Sequence, residues 1–267
     1  MTLAQRPHHV LPGTIWLVGA GPGDPELLTR KAERLIGEAS VIFYDALVGP
    51  GILELAGKGA RLVYVGKRSG RHSRDQAGIS ALLVEAARAG ERVVRLKGGD
   101  PAIFGRAAEE LAEARAAGIA CHICPGITAA SAAAASLGAS LTLRGLARQL
   151  SFVTAHARAG EELALDWQRL ADAEATLAVY MGKAAAGTVA GQLLGAGMDG
   201  ATPVAIVENA SLPEERIITT RLDLLAITAR AALGDGPALL LIGNALRQND
   251  IAPAQGRPAT CNTDHPA

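Results

Sequence analysis

The residue types most suited to holding a ligand lie in VVRLKGGDPAIFG (93–105). Val93, Val94 and Leu96 read as a short buried strand, which Gly98, Gly99, Asp100 and Pro101 interrupt. Paired glycines admit positive φ and let a ligand reach the backbone without meeting a Cβ. Asp100 suits a helix N-cap and Pro101 a first helical position. The stretch therefore reads as strand, ligand-sized loop and helix start, and open α/β sheets take their ligands at such carboxyl ends of strands. Taken alone, an ordinary tight βα turn is the lesser alternative reading. A second glycine loop, GAGPGD (19–24), ends a strand at 15–18. It fails the dinucleotide fingerprint, because Asp24 stands where the third glycine belongs and Pro22 intrudes, so a standard NAD site is not expected. Asp45 follows a strand at 41–44, in a place where most aspartates are turn residues. A third strand at 62–65 runs into KRSGRHSRD (67–75), the most basic stretch of the chain, with Lys67, Arg68, Arg71, His72 and Arg74. Such runs are commonly solvated loops, but this one leaves a strand end on the side of both glycine loops.

The elements that must place these residues alternate. Asp24 and Pro25 are expected to start a helix whose apolar face is Leu28, Ala32, Leu35, Ile36 and Ala39. Helices are expected at 79–89 and through Glu109, Leu111 and Arg115, and a fifth strand at 119–124. Thr128 could cap an Ala-rich helix at 129–137, whose small side chains imply a close neighbour. A second series follows: strands at 151–154, 176–181, 204–207 and 238–242, and helices at 161–172, 184–195 and 222–232. VENASLPEERIITT reads as two strands joined by a turn, hence antiparallel. The first series predicts a mainly parallel sheet and the second a mixed one. The expected organisation is two α/β domains, 14–124 and 127–247, with flexible tails at 1–13 and 248–267.

Composition excludes several classes. The chain has 267 residues and no net charge, so wholesale binding to nucleic acid or an acidic membrane is not expected. Aromatics are 3% of residues, too few for a base-stacking platform. Cys121 and Cys124 form a CxxC without the second ligand pair that zinc needs, and alternation on a strand points them to opposite faces. No metal site and no disulfide is expected. The N-terminal segment lacks an apolar core, no apolar run is long enough to span a bilayer, and a cytoplasmic location is expected.

Eight motifs, in this order and at these spacings, resemble uroporphyrinogen-III C-methyltransferases: VGAGPGDPELLT (18–29), VIFYDALV (41–48), VGKRSG (65–70), RLKGGDPAIFGRAAEE (95–110), PGITAA (125–130), LTLRG (141–145), YMG (180–182) and VEN (207–209). The resemblance covers about residues 14–247 and implies two α/β domains, S-adenosylmethionine (SAM) bound in the cleft between them, and a homodimer. It implies SAM contacts at Pro22, Gly98, Gly99, Asp100, Ile103, Thr128, Ala129, Met181 and Ala210. It also implies Asp45 as proton acceptor and Lys67 as proton donor. Two positions depart from the pattern. Leu143 replaces the His of LTHR, so any role of that His is absent, and Ala210 stands where relatives often have Gly, a change that a backbone contact would survive. The dehydrogenase–chelatase module that some relatives carry is not expected within these residues.

The implied reaction is methyl transfer from SAM to C2 and C7 of uroporphyrinogen III, giving precorrin-2 and S-adenosylhomocysteine. It needs in-line positioning and a carboxylate base near a cationic acid. Arg68, Arg71, Arg106 and Arg144, with Lys67, are candidates to meet the ionised acetates and propionates, since guanidinium suits bidentate carboxylate recognition. Arg106 could equally be a helix-surface charge and Arg144 a boundary ion pair. Rival readings are another precorrin methyltransferase, a diphthine synthase, a ribosomal-RNA ribose methyltransferase, or a non-catalytic SAM- or tetrapyrrole-binding regulator. VIFYDALV with RLKGGDPAIFGR favours the uroporphyrinogen branch over the first three. Asp45, Lys67 and both glycine loops argue against the regulator.

Overall fold

Apolar runs become strands buried on both faces, and alternation divides each run between two layers. The computed structural model describes residues 8–66, 76–156 and 163–249. Its first sheet contains β1 (Thr14–Gly19), β2 (Val41–Tyr44), β3 (Arg61–Tyr64), β4 (Arg92–Lys97) and β5 (Cys121–Cys124), in the order β3-β2-β4-β1-β5, all parallel. Trp16 and Val18 of β1 face one way, with Ile42, Val94 and Leu96, onto Ala32, Leu35 and Ile36 of helix α1 (Arg30–Glu38). Ile15 and Leu17 face the other way, with Val41, Phe43 and Val93. They pack among Ile79 and Leu83 of a helix at Gln76–Arg88 and Ala107 and Ala114 of one at Ala107–Ala116. One helical turn, α2 (Pro50–Leu53), links β2 to β3, so these two helices are α3 and α4. Cys121 and Ile123 join the α3/α4 side and Cys124 the α1 side, as alternation requires.

The second sheet contains β6 (Gln149–Thr154), β7 (Ala175–Tyr180), β8 (Pro203–Glu208), β9 (Arg216–Arg221) and β10 (Ala238–Ile242), in the order β6-β7-β10-β8-β9. β6 and β7 are parallel, whereas β10 runs antiparallel to both its neighbours and β9 antiparallel to β8. Helix α5 (Ala129–Leu137) lays Ala130 and Ala133 on Ala178, Ala205, Leu239 and Leu241. Its methyl-sized face allows that close approach. The other face carries α6 (Trp167–Leu170), α7 (Ala186–Gly195) and α8 (Leu225–Ala232) over Leu177, Val179, Ile206 and Leu240.

Three expectations need correction. Asp24 caps only a short 3-10 turn, Pro25–Leu27, and α1 starts later, with Thr29 Oγ1 accepting from Ala32 N at 3.1 Å. Asp100 accepts from Ala102 N, but no helix forms at Pro101: the chain turns through Phe104 (φ 51°) and Arg106 (φ 56°) before α4 begins at Ala107. Of the helix expected at 161–172, only the α6 turn is found among the described residues.

Candidate active site

The loops leaving the first sheet meet through glycine. Gly21 and Gly99 pair in an antiparallel bridge, with Gly99 N donating to Gly21 O at 2.6 Å. A Cβ on Gly19 would lie 2.5 Å from Gly126 N, and one on Gly126 would overlap Gly99 O. Asp100 Oδ2 accepts from Gly126 N at 3.1 Å. The loops after β1, β4 and β5 are thus locked together, while Gly99 (φ 67°) has nothing within 4 Å of where a Cβ would stand. Connections leave β2 towards β3 on one side and β4 towards β5 on the other. β2 and β4 are neighbours, and such a divergence marks the ligand crevice of an open sheet. Asp45 and Gly98 stand at those two strand ends, and a Cβ on Gly98 would be 2.7 Å from Leu47 Cβ.

Loops of the second sheet reach the same region. Ser211 Oγ accepts from Asp24 N at 3.1 Å, and Leu212 packs where a Gly23 side chain would be. The Tyr180 hydroxyl bonds Thr128 Oγ1 and accepts from Ala130 N at 3.3 Å, and its ring lies 5.1 Å from that of Phe104. Thr128 therefore occupies the N-cap position of α5 without capping it; Tyr180 does so from the second sheet. Burial raises the Tyr180 pKa, and the bonds to Thr128 and Ala130 counteract it in part. All five non-glycine residues at positive φ among the described residues lie in three of these loops: Phe104 and Arg106, Met181, Asn209 and Ser211. Backbone held in that region is typical of functional sites. Ala210 lies between two left-handed residues but is not left-handed itself, so its Cβ is accommodated.

Beneath Asp45 lies a group of buried charges that the sequence reading missed. Arg95 Nη2 donates to Asp45 Oδ2 at 2.7 Å, and Leu47 N donates to Asp45 Oδ1 at 3.1 Å. Arg95 Nε is 3.4 Å from Glu110 Oε1, Lys97 Nζ is 3.1 Å from Glu110 Oε2, and Gln76 Nε2 donates to Glu110 Oε1 at 3.0 Å. Arg95, Lys97 and Glu110 are buried, whereas the Asp45 side chain is 24% exposed. Burial and the neighbouring Arg95 charge lower the Lys97 pKa, against the opposing pull of Glu110. The available signal was two cations at alternate positions, Arg95 and Lys97, next to the apolar Val93, Val94 and Leu96.

The other expected site residues fall as follows. Pro22, Gly98, Asp100, Ile103, Ala129 and Ala210 are half-buried, and Met181 is exposed just past β7. Arg106 is exposed and forms a fork with Glu109, two bonds of 2.7 Å. Arg144 is exposed on the turn between Leu143 and Ala147. Lys67, Arg68 and Arg71 lie outside the described residues. In the second domain Glu208, the acid of VEN, is buried with Lys183 Nζ at 3.3 Å, Arg216 Nη1 at 3.4 Å and Gly234 N at 3.1 Å. Among the described residues no cluster of three or more His, Cys, Asp or Glu is placed to hold a metal, and no helix is long and apolar enough to cross a membrane.

The family model for tetrapyrrole (corrin/porphyrin) methylases matches residues 14–226. The chain belongs to that family. A tetrapyrrole methylase of this kind has many relatives. The chain is 44% identical over 241 residues to the siroheme synthase of Gluconobacter oxydans (strain 621H), covering 90% of this chain and 51% of that protein. It is 43% identical over 251 residues to the chloroplastic S-adenosyl-L-methionine-dependent uroporphyrinogen III methyltransferase of Arabidopsis thaliana, covering 94% of this chain and 68% of the relative. Among solved structures, the uroporphyrin-III C-methyltransferase of Thermus thermophilus complexed with S-adenyl homocysteine superposes with a TM-score of 0.75 at 41% identity, over 88% of this chain and 99% of the other. The methylase chain spans about half the length of the siroheme synthases it matches.

Proposed function

We propose that the chain is a uroporphyrinogen-III C-methyltransferase, transferring methyl groups from SAM to C2 and C7 of uroporphyrinogen III to give precorrin-2. The observation that carries this reading is the 41% identity to the Thermus enzyme over nearly the whole of that protein, with all eight motifs in place.

The residues present fit SAM. Gly99 offers open backbone at a locked loop junction, the Asp100 carboxylate stands beside it, and Met181 is exposed directly after Tyr180, whose hydroxyl bonds Thr128. Pro22, Gly98, Gly99, Asp100, Ile103, Thr128, Ala129, Met181 and Ala210 would hold the cofactor in a cleft between the two domains. Bound there, SAM supplies a methyl group made electrophilic by its sulfonium. The rest is the chain's work: the loops fix the direction of approach, and the Asp45 carboxylate accepts the proton released as the pyrrole system rearranges. Lys67 returns a proton. Arg68, Arg71, Arg106 and Arg144 meet the substrate's carboxylates, and Arg106 would exchange its Glu109 partner for one of them. We assign the working form to a cytoplasmic homodimer that engages neither nucleic acid nor membrane, with domains at 14–124 and 127–247.

The test is incubation with enzymically generated uroporphyrinogen III and SAM, following S-adenosylhomocysteine and the absorption of the oxidised methylated product. Two methyl transfers per tetrapyrrole are expected. Transfer to a later precorrin but not to uroporphyrinogen III would overturn the assignment. Sedimentation at assay concentration checks the dimer.

A further inference from the structure

We propose that Arg95 is a positioning residue. Its guanidinium fixes the Asp45 carboxylate at the end of β2, and Glu110 with Lys97 forms the buried base that fixes Arg95. The inference rests on the reading of Asp45 as proton acceptor.

All three guanidinium nitrogens are engaged. Nη2 donates to Asp45 Oδ2 at 2.7 Å, Nη1 to Leu96 O at 2.7 Å and Phe43 O at 3.4 Å, and Nε to Glu110 Oε1 at 3.4 Å. Two of those acceptors are backbone carbonyls near the ends of β2 and β4, so the fork is referenced to the sheet itself. Asp45 is gripped from below: Arg95 takes one oxygen and Leu47 N the other. An ionised carboxylate offers about two acceptor sites per oxygen, so the exposed side keeps sites for a proton. A base held this way is aimed by rigid strands and not by its own loop.

The charges balance within the group, with Asp45 and Glu110 against Arg95 and Lys97. Stability alone does not call for it, because apolar side chains of similar volume commonly replace buried ion pairs at no cost. What such side chains cannot supply is a directional grip on Asp45. Lys97, which precedes Gly98, and Glu110, on the helix that follows the glycine loop, bond each other without Arg95, so the ends of that loop stay tied when Arg95 is changed.

Arg95→Lys keeps the charge and loses the fork. The expected result is a kcat lowered by about 100-fold, the scale of an ångström's misplacement of a reacting group. Calorimetric SAM binding and KM for uroporphyrinogen III should stay unchanged. In an Asp45→Asn background, where nothing remains to be positioned, Arg95→Lys should lower kcat no further. If Arg95→Lys does not fold, Arg95→Met, which leaves Lys97 paired with Glu110 and uncovers only the part-exposed Asp45 carboxylate, should show the same pattern. Wild-type kcat in the Arg95 variants, or a loss that multiplies with that of Asp45→Asn, would overturn the proposal while leaving the base reading intact. Asp45→Asn with wild-type kcat would overturn both.

Discussion

Glu110 is the hinge of the buried charge group, and neutralising it should expose what the group contributes to the first sheet. Its carboxylate lies 3.1 Å from Lys97 Nζ and 3.4 Å from Arg95 Nε. At an effective dielectric of about 20, each pair is worth roughly 5 kcal/mol of attraction, most of it offset by desolvation. Glu110→Gln leaves Lys97 without a counter-charge in a buried position, and breaking such a group by removing one partner costs about 3–5 kcal/mol. Lys97→Met on its own leaves the opposite imbalance. The double variant Lys97→Met/Glu110→Gln restores neutrality, because Arg95 keeps Asp45, so it should be more stable than Glu110→Gln despite carrying one more substitution. Urea unfolding at neutral pH measures this. The chain has two tryptophans, Trp16 in β1 and Trp167 in α6. In a Trp167→Phe background fluorescence reports the first sheet alone. A coupling energy of at least about 1 kcal/mol in favour of the double variant is expected; a double variant as unstable as the sum of its singles would refute the reasoning. The pH dependence has a definite sign. The Lys97 pKa is lowered in the fold, so between its folded value and the ordinary 10.5 the unfolded chain binds more protons. The cost of the buried charge is therefore full below the folded value and relieved as pH rises from there towards 10.5, so wild type should gain stability relative to Lys97→Met across that window.

Gly126→Ala should destabilise by about 1–3 kcal/mol through overpacking against Gly99 O. Gly99→Ala, open in space but at φ 67°, should cost about 1–2 kcal/mol and lose SAM affinity; urea unfolding and calorimetry separate the two. Burial, then the Glu110 charge, push the Cys121 thiol up to about 12, so iodoacetamide at pH 8 should leave Cys121 unmodified in the native protein, as peptide mass spectrometry will show. Burial works to raise the Glu208 pKa, but the hydrogen bonds from Gly234 and Lys183 and the charges of Lys183 and Arg216 lower it overall. Its stabilisation is thus present above about pH 4.5 and lost as pH falls through the folded value. Glu208→Gln should lose about 1.5–3 kcal/mol at neutral pH, with the gap to wild type closing in acid.

The central strands were legible because burial on both faces makes them plain apolar runs, and the parallel-then-mixed division followed from the β-α alternation and the VEN…ITT pair. Helix starts were less legible. Asp24-Pro25 and Asp100-Pro101 carry strong N-terminal signals, yet the first opens a 3-10 turn and the second leads into two left-handed residues. That φ region is rare for Phe and Arg, so nothing local points to it. Thr128 looked like a cap by type and position, but Tyr180, far along the chain, claims its hydroxyl. The Arg95–Glu110–Lys97 group stayed hidden because strand alternation puts the two cations on one face without saying which residue of α4 meets them.

The place of β10 governs the order in which the molecule can be made. The first sheet is complete once Cys124 has been synthesised, and its strands pair only with one another. The last strand of the second sheet, by contrast, enters at the centre, between β7 and β8. Until Ala238–Ile242 leaves the ribosome, the β6–β7 pair and the β8–β9 hairpin have no strand to join them, and α5 lacks the leucines of β10 on which it rests. At about 5–20 residues per second, the β6–β7 pair stands open from Tyr180 to Ile242 for roughly 3–12 s, accompanied for the last roughly 1–4 s by the β8–β9 hairpin that is complete at Arg221. Over those intervals a finished first domain carries open strand pairs, each a template for pairing with another nascent chain. A premature stop before Ala238 would make that state permanent, removing the middle of a sheet and not its edge.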